Sequence, residues 1–286
     1  MLGEILTWLA TPSTLAARRL GYVTAAIGLA ARAQRCHHAW ADHLAHCRTA
    51  VMTSVSYCNR HRTALVLGAG LALEYPLELL AARFARVVLA DIVHLPALRR
   101  QARRYPNVEL LPCDLTGAVA ALTQFRRPGT TADLDRIGAA PPDIAVDSVD
   151  WVVSCNALSQ LPLLPVAWLK RRNPQLADAD LERWGRHIMA RHLAWLGTLG
   201  SERCLIADAV QTTYDRRGTV LERADFAAAF GLDRHAYATW EWPVAPPGEL
   251  SDGLYASHRV VACRWPATVS DAASEQLHRT PVLTRT

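Results

Sequence analysis

Two glycines, Gly68 and Gly70, directly follow the apolar run Thr63–Leu67, at a point where a strand would give way to a helix. Glycine lacks a Cβ, so the chain there can lie against a ligand, and the first turn of a following helix offers free N–H groups to a carboxylate. Asp91 and Asp114 each end another apolar run, and Gly68, Asp91 and Asp114 follow one another at equal 23-residue spacing. A carboxylate at such a position presents two acceptor oxygens to a vicinal diol. Taken together, these demands match an amino-acid nucleoside. A dinucleotide loop of the form G-x-G-x-x-G would need glycine at position 73, where Leu73 stands.

Further residues have the chemistry to act on a second molecule. Asn156 and Asp208 end two later runs, and Ser159, Gln160, Gln211 and Tyr214 lie just beyond them. The helical stretch 178–199 places Leu181, Trp184, Ile188 and His192 on one stripe, with His187 nearer the edge. His192, His187 and Tyr214 are therefore the candidate catalytic groups, with either histidine able to serve as a base; the competing reading is a satisfied core or surface histidine. Cys155 reads as core packing rather than as a nucleophile.

The segment Cys36–Cys47 is rich in histidine. His38, Asp42 and His46 recur at every fourth residue, and Cys36, His43 and Cys47 form a second stripe, each a conceivable metal edge on one helix. The spacing is not a zinc-finger pattern, helical amphipathicity explains it more cheaply, and no metal is expected.

These residues require a scaffold. Residues 1–62 read as an α-helical extension broken near Thr11-Pro12-Ser13, and 63–266 as one domain of short apolar runs alternating with helical patterns; 267–286 is a polar tail. The runs 63–67, 86–91, 108–114, 150–156 and 203–209 are continuously apolar rather than alternating. Both faces of their sheet must then be covered, which makes this a doubly wound, mostly parallel α/β domain. Runs 235–242 and 258–265, joined by a Pro/Gly-rich loop, add an antiparallel pair at one edge.

The ordered set resembles the class I, Rossmann-like, S-adenosylmethionine-dependent methyltransferases over residues 63–265. That resemblance implies a seven-stranded sheet of order 3-2-1-4-5-7-6, with S-adenosyl-L-methionine as cofactor. Gly68 and Gly70 would face its methionine part, Asp91 its ribose hydroxyls and Asp114 its adenine amine; Asn156 would line the site after the fourth strand. Where the family carries an acid two residues before the first glycine this chain has Val66, so backbone carbonyls near Gly68 are expected to meet the cofactor's ammonium. The signatures of adenine-N6 and cytosine-C5 enzymes are absent, and Ser154–Pro162 is closer to the small-molecule methyltransferases of the class.

The expected activity is methyl transfer to an oxygen, nitrogen or sulfur of a small-molecule acceptor, with the N-terminal helices as a lid. Two alternatives stay open: an aminopropyl or aminobutyrate transferase using the same cofactor fold, and a non-catalytic binding or scaffold protein. The net charge of +5 is concentrated in the first 62 residues, and the remainder is balanced and carries no footprint for nucleic acid. Seven cysteines without a C-x-x-C pair suit reduced thiols in a cytoplasmic protein. The apolar segment Leu20–Ala31 is too short to span a bilayer, so no integral membrane association is expected. The N-terminal helices are the surface on which a dimer would form.

Overall fold

The computed structural model describes residues 2–124, 131–137, 142, 144, 146–266 and 283–285. Four helices lead the chain: α1 (Leu2–Ala10), α2 (Leu15–Leu20), α3 (Tyr22–Arg35) and α4 (Ala41–Ser56). Then strands and helices alternate: β1 (Thr63–Leu67), α5 (Leu77–Arg83), β2 (Arg86–Asp91), α6 (Pro96–Ala102), β3 (Val108–Pro112), α7 (Val119–Gln124), α8 (Thr131–Arg136) and β4 (Val149–Cys155). The last part holds α9 (Leu163–Arg172), α10 (Asp178–Leu196), β5 (Glu202–Tyr214), β6 (Val220–Asp225), α11 (Phe226–Phe230), β7 (Ala236–Ala245), β8 (Tyr255–Arg264) and β9 (Leu283–Arg285).

Strands β3, β2, β1, β4 and β5 lie side by side in parallel. The antiparallel β8 follows on β5, and β7 on β8. The spine is thus 3-2-1-4-5-8-7, which is the expected Rossmann-like order once β6 is set aside. Strand β1 is buried at every position, so the continuous apolar run has the two covered faces it predicts. Its alternate residues divide between two cores. Leu65 and Leu67 pack with α10 residues such as Trp184 and Ile188, while Ala64 and Val66 pack with Val51 and Val55 of α4 and Leu77 and Leu80 of α5.

Two elements depart from the sequence reading. The fifth strand runs on to Tyr214 rather than stopping at 209, because its far half leaves β4 behind and pairs with β6 instead. This hairpin turns at Asp215–Gly218, where Asp215 Oδ1 accepts the amides of Arg217 and Thr219 at 2.8 Å each. Polar residues such as Gln211, Thr212, Glu222 and Arg223 conceal both halves from a search for apolar runs. Within the stretch 267–286, Leu283–Arg285 forms β9 and pairs with β6; the remainder of that tail lies outside the described residues.

The helical prefix joins the domain at two depths. On α1 the side chains of Ile5, Leu6 and Leu9 are exposed, whereas Cys47, Val51 and Val55 of α4 are fully buried against the sheet. Trp151 of β4 donates its indole N–H to Ser54 Oγ of α4 at 2.9 Å. Helix α4 is therefore part of one covering layer. Among the described residues no helix is long and apolar enough to cross a membrane.

Candidate active site

A cleft of about 310 Å³ opens at the carboxyl ends of β1, β2 and β4, the place where ligands bind in open α/β sheets. Its floor holds Gly68, Gly70, Asp91, Asp114 and Asn156, and its roof is made by Tyr22, Leu29, Trp40 and Leu44 of the prefix. The five cofactor-site residues predicted from the sequence therefore converge.

The two glycines meet different demands. Gly68 has φ 77°, and a Cβ there would come within 2.9 Å of Ala157 Cβ and 3.2 Å of the Cys155 carbonyl, so this residue lets the β1 loop close on the end of β4. Gly70 has φ 50°, and its nearest contact for an added Cβ is the Gly68 carbonyl at 3.8 Å. Here the bare backbone lines open space. The helix expected immediately after the loop is delayed: α5 begins only at Leu77, so its first turn is not in direct continuation of the glycines.

Asp91 ends β2 and ties the loop to the sheet, its Oδ2 accepting the Gly70 N–H at 2.8 Å. Burial pushes its carboxyl above the usual carboxylate range, against the lowering effect of that bond. Asp114 is more committed. Its Oδ1 accepts from the Thr116 amide at 2.9 Å and the Thr116 hydroxyl at 2.6 Å, and its Oδ2 accepts the Val119 N–H at 2.8 Å, which holds the first residue of α7. Asn156 takes a left-handed conformation with φ 46°, and its Nδ2 donates to Glu74 Oε1 at 2.9 Å.

The catalytic candidates do not gather here. His192 is buried with its Nε2 at 2.8 Å from Ser154 Oγ, and desolvation lowers its pKa to about 4; it packs inside the α10 layer and is not part of the cleft wall. His187 is on the exposed side of α10, and Tyr214 stacks on Tyr255 at the far end of the β5–β8 pair, with ring centroids 4.9 Å apart. The helical stripe correctly places His192 inward; inward on α10 is toward the sheet's interior, not its carboxyl edge. Of the acceptor-side residues, Gln160 lines the cleft. Ser159 and Gln211 instead donate to the buried Asp208 at 2.6 and 2.9 Å, beside His258 Nδ1 at 3.1 Å. Burial opposes ionisation of Asp208, yet the His258, Ser159 and Gln211 contacts outweigh it and hold its pKa below the usual range.

The histidine-rich segment divides in the same way. Helix α3 stops at Arg35 and residues 36–40 turn, so His38 and Asp42 do not share one helix. His43 and Cys47 point inward and are buried, while His38, Asp42 and His46 are exposed. Among the described residues no group of three or more His, Cys, Asp or Glu is placed to hold a metal ion.

Four cleft residues escape sequence reasoning: Tyr22, Trp40, Glu74 and Trp242. Asn156 Oδ1 and Trp242 Nε1 are buried there without a hydrogen-bond partner, and the Tyr22 hydroxyl is buried beside Thr116. Such orphaned polar atoms are costly unless a ligand completes them. Bare backbone at Gly70, two carboxylates and orphaned donors and acceptors fit a nucleoside with an amino-acid end.

The sequence matches no family model and none of the curated proteins. Among solved structures the chain is similar to the 1,6-didemethyltoxoflavin-N1-methyltransferase of Burkholderia thailandensis with bound 1,6-didemethyltoxoflavin and S-adenosylhomocysteine. The identity is 14% over 89% of this chain and 93% of that one, with a TM-score of 0.40. It is also similar to the N-methyltransferase NodS of Bradyrhizobium japonicum WM9 in complex with S-adenosylhomocysteine, at 13% identity over 76% and 85% of the two chains and a TM-score of 0.34. The strand order itself defines the fold class: a Rossmann-like, mostly parallel α/β sheet.

Proposed function

We propose that this protein is an S-adenosyl-L-methionine-dependent methyltransferase acting on a small-molecule acceptor. The observation that carries the reading is the convergence of Gly70, Asp91 and Asp114 in one cleft at the switch point of the sheet. Gly68 and Gly70 would lie along the amino-acid part of the cofactor and Asp91 would accept from its ribose hydroxyls. Asp114, whose oxygens already hold Thr116 and Val119, would add a weaker contact to the adenine. When bound, the cofactor supplies an electrophilic methyl group.

The chain's own contribution is positioning. In-line displacement needs the acceptor atom held close to the methyl carbon in a dry site, and Leu29, Trp40, Leu44, Leu163, Leu164 and Trp242 supply apolar walls beside the glycine loop. The prefix helices act as the lid of this compartment. A base is required only for an acceptor that arrives protonated. Residues 63–266 are assigned as the catalytic domain and the compartment as cytoplasm.

Transfer of label from methyl-labelled cofactor to small molecules of an extract, followed by mass analysis of the product, tests the activity. A product heavier by an aminopropyl or aminobutyrate group would replace methyl transfer with the alternative chemistry. Failure of S-adenosylhomocysteine to bind in calorimetry would point to the scaffold reading.

A further inference from the structure

Glu74 stands on the cleft wall with its side chain 20% exposed, and its neighbours are neutral. Asn156 Nδ2 donates to its Oε1 at 2.9 Å, and the Cys155 thiol lies 3.9 Å from its Oε2. Among the described residues the basic group within ion-pair range is His43, whose Nε2 is 4.0 Å from Oε1. The contacts of that imidazole define a neutral ring. Trp240 can only donate, and its Nε1–H meets His43 Nδ1 at 3.0 Å, while the donor Asn156 Nδ2 stands 3.3 Å from Nε2, so the ring holds no more than one proton. The ring is stacked on Trp242 at 3.9 Å with an interplanar angle of 7°, which fixes the edge it turns toward Glu74. Arg48 is occupied elsewhere, donating to the Leu73 carbonyl at 2.9 Å.

A largely buried carboxylate with dipoles but no cation beside it is costly, and a cationic group of a ligand relieves that cost. Position narrows the choice of cation. Glu74 belongs to the same loop as Gly68 and Gly70, and the residue that clamps it, Asn156, adjoins Ala157, the neighbour on which Gly68 closes. We propose that Glu74 is the receptor for the primary ammonium of an amino-acid nucleoside in this cleft, with His43 as a positioning residue and the Trp240–His43 contact as its anchor. The inference rests on the function proposed above and replaces the backbone carbonyls near Gly68 as the expected ammonium contact. It also gives the histidine-rich segment a role, since α4 and β7 together aim a carboxylate of the glycine loop.

Calorimetry with three probes decides it: S-adenosylhomocysteine, its analogue lacking the amino group, and methylthioadenosine, which lacks the whole amino-acid end. The wild-type protein should bind S-adenosylhomocysteine at least tenfold more tightly than the des-amino analogue. Glu74→Gln should lose about tenfold or more for S-adenosylhomocysteine and nothing for the other two. His43→Phe, which keeps the stack on Trp242, should lose less in the same selective pattern, a pattern that a merely structural role would not produce. Equal affinity of the wild type for S-adenosylhomocysteine and the des-amino analogue would overturn the proposal while leaving the nucleoside site intact; so would equal losses for all probes in a folded Glu74→Gln protein. Should that variant fail to fold, the His43→Phe pattern decides in its place: a loss confined to S-adenosylhomocysteine supports the proposal, and an equal loss for all probes or none overturns it. If none of the three probes binds the wild type, it is the proposed function that fails.

Discussion

The Gly70 amide and the Asp91 carboxylate are joined by a hydrogen bond of 2.8 Å, so the glycine loop after β1 and the acid at the end of β2 form one unit. The other oxygen, Oδ1, takes only a long contact from the Val93 N–H at 3.5 Å and retains accepting capacity for a ligand. Asp91→Ala should therefore weaken S-adenosylhomocysteine binding by roughly ten- to a hundredfold, from the loss of a charged hydrogen bond of about 1.5 to 3 kcal/mol. Calorimetry on the folded variant measures it, and an unchanged dissociation constant would remove Asp91 from the site.

Asp114 should behave differently. Its three accepted bonds hold the entry to α7, so Asp114→Ala should cost about 1 kcal/mol of stability, seen as a melting temperature lower by about 2 to 4 °C. Its effect on nucleoside affinity should be smaller than that of Asp91→Ala. The reverse order of affinities would mean that the adenine contact dominates.

Tyr22 tests the roof. Its hydroxyl is buried at the cleft, and burial, then Asp114 and Asp91, raise its pKa against the lowering effect of Thr116, so it stands there as a neutral donor. Tyr22→Phe should weaken S-adenosylhomocysteine and methylthioadenosine together, each by about three- to tenfold, since a neutral hydrogen bond contributes about 1 kcal/mol. Loss of acceptor turnover with both affinities unchanged would place Tyr22 on the acceptor side.

His192 should make stability depend on pH. Its folded pKa of about 4 lies below the ordinary 6.5, so between these values the unfolded chain binds the extra proton. The stability it contributes is complete above about pH 6.5 and is lost as pH falls toward 4, a change on the order of 3 kcal/mol. Urea unfolding across that window should show the slope, and His192→Gln should flatten it; His94, also lowered by burial, leaves a remainder. An identical slope in the variant would contradict the burial argument.

Removing residues 1–60 should prevent folding rather than merely open the site. Val51 and Val55 of α4 cover Val66 and Trp151 of the sheet, and each fully buried valine contributes about 1.5 to 3 kcal/mol. Deleting 1–13 instead, which removes the exposed α1, should leave a folded protein with S-adenosylhomocysteine affinity intact. Circular dichroism separates the two outcomes, and a soluble, folded 61–286 fragment would return α4 to the status of a detachable lid.

The sequence by itself determined the sheet's central strands and the residues at their ends. Continuous apolar runs report burial on both faces, and chain order then places Gly70, Asp91 and Asp114 at one edge, a local matter of where each run stops. Glu74, Tyr22 and the Trp240–His43 contact were invisible there, because each acquires its meaning from a neighbour on a distant element: Asn156, Asp91 and α4 respectively. The same reason accounts for His192, whose helical face was legible but whose depth was not, and for β6, whose polar residues are ordered by pairing with β5 rather than by burial. Periodicity reports which side of an element is covered; only the packed structure decides what covers it and which buried groups open onto the cleft.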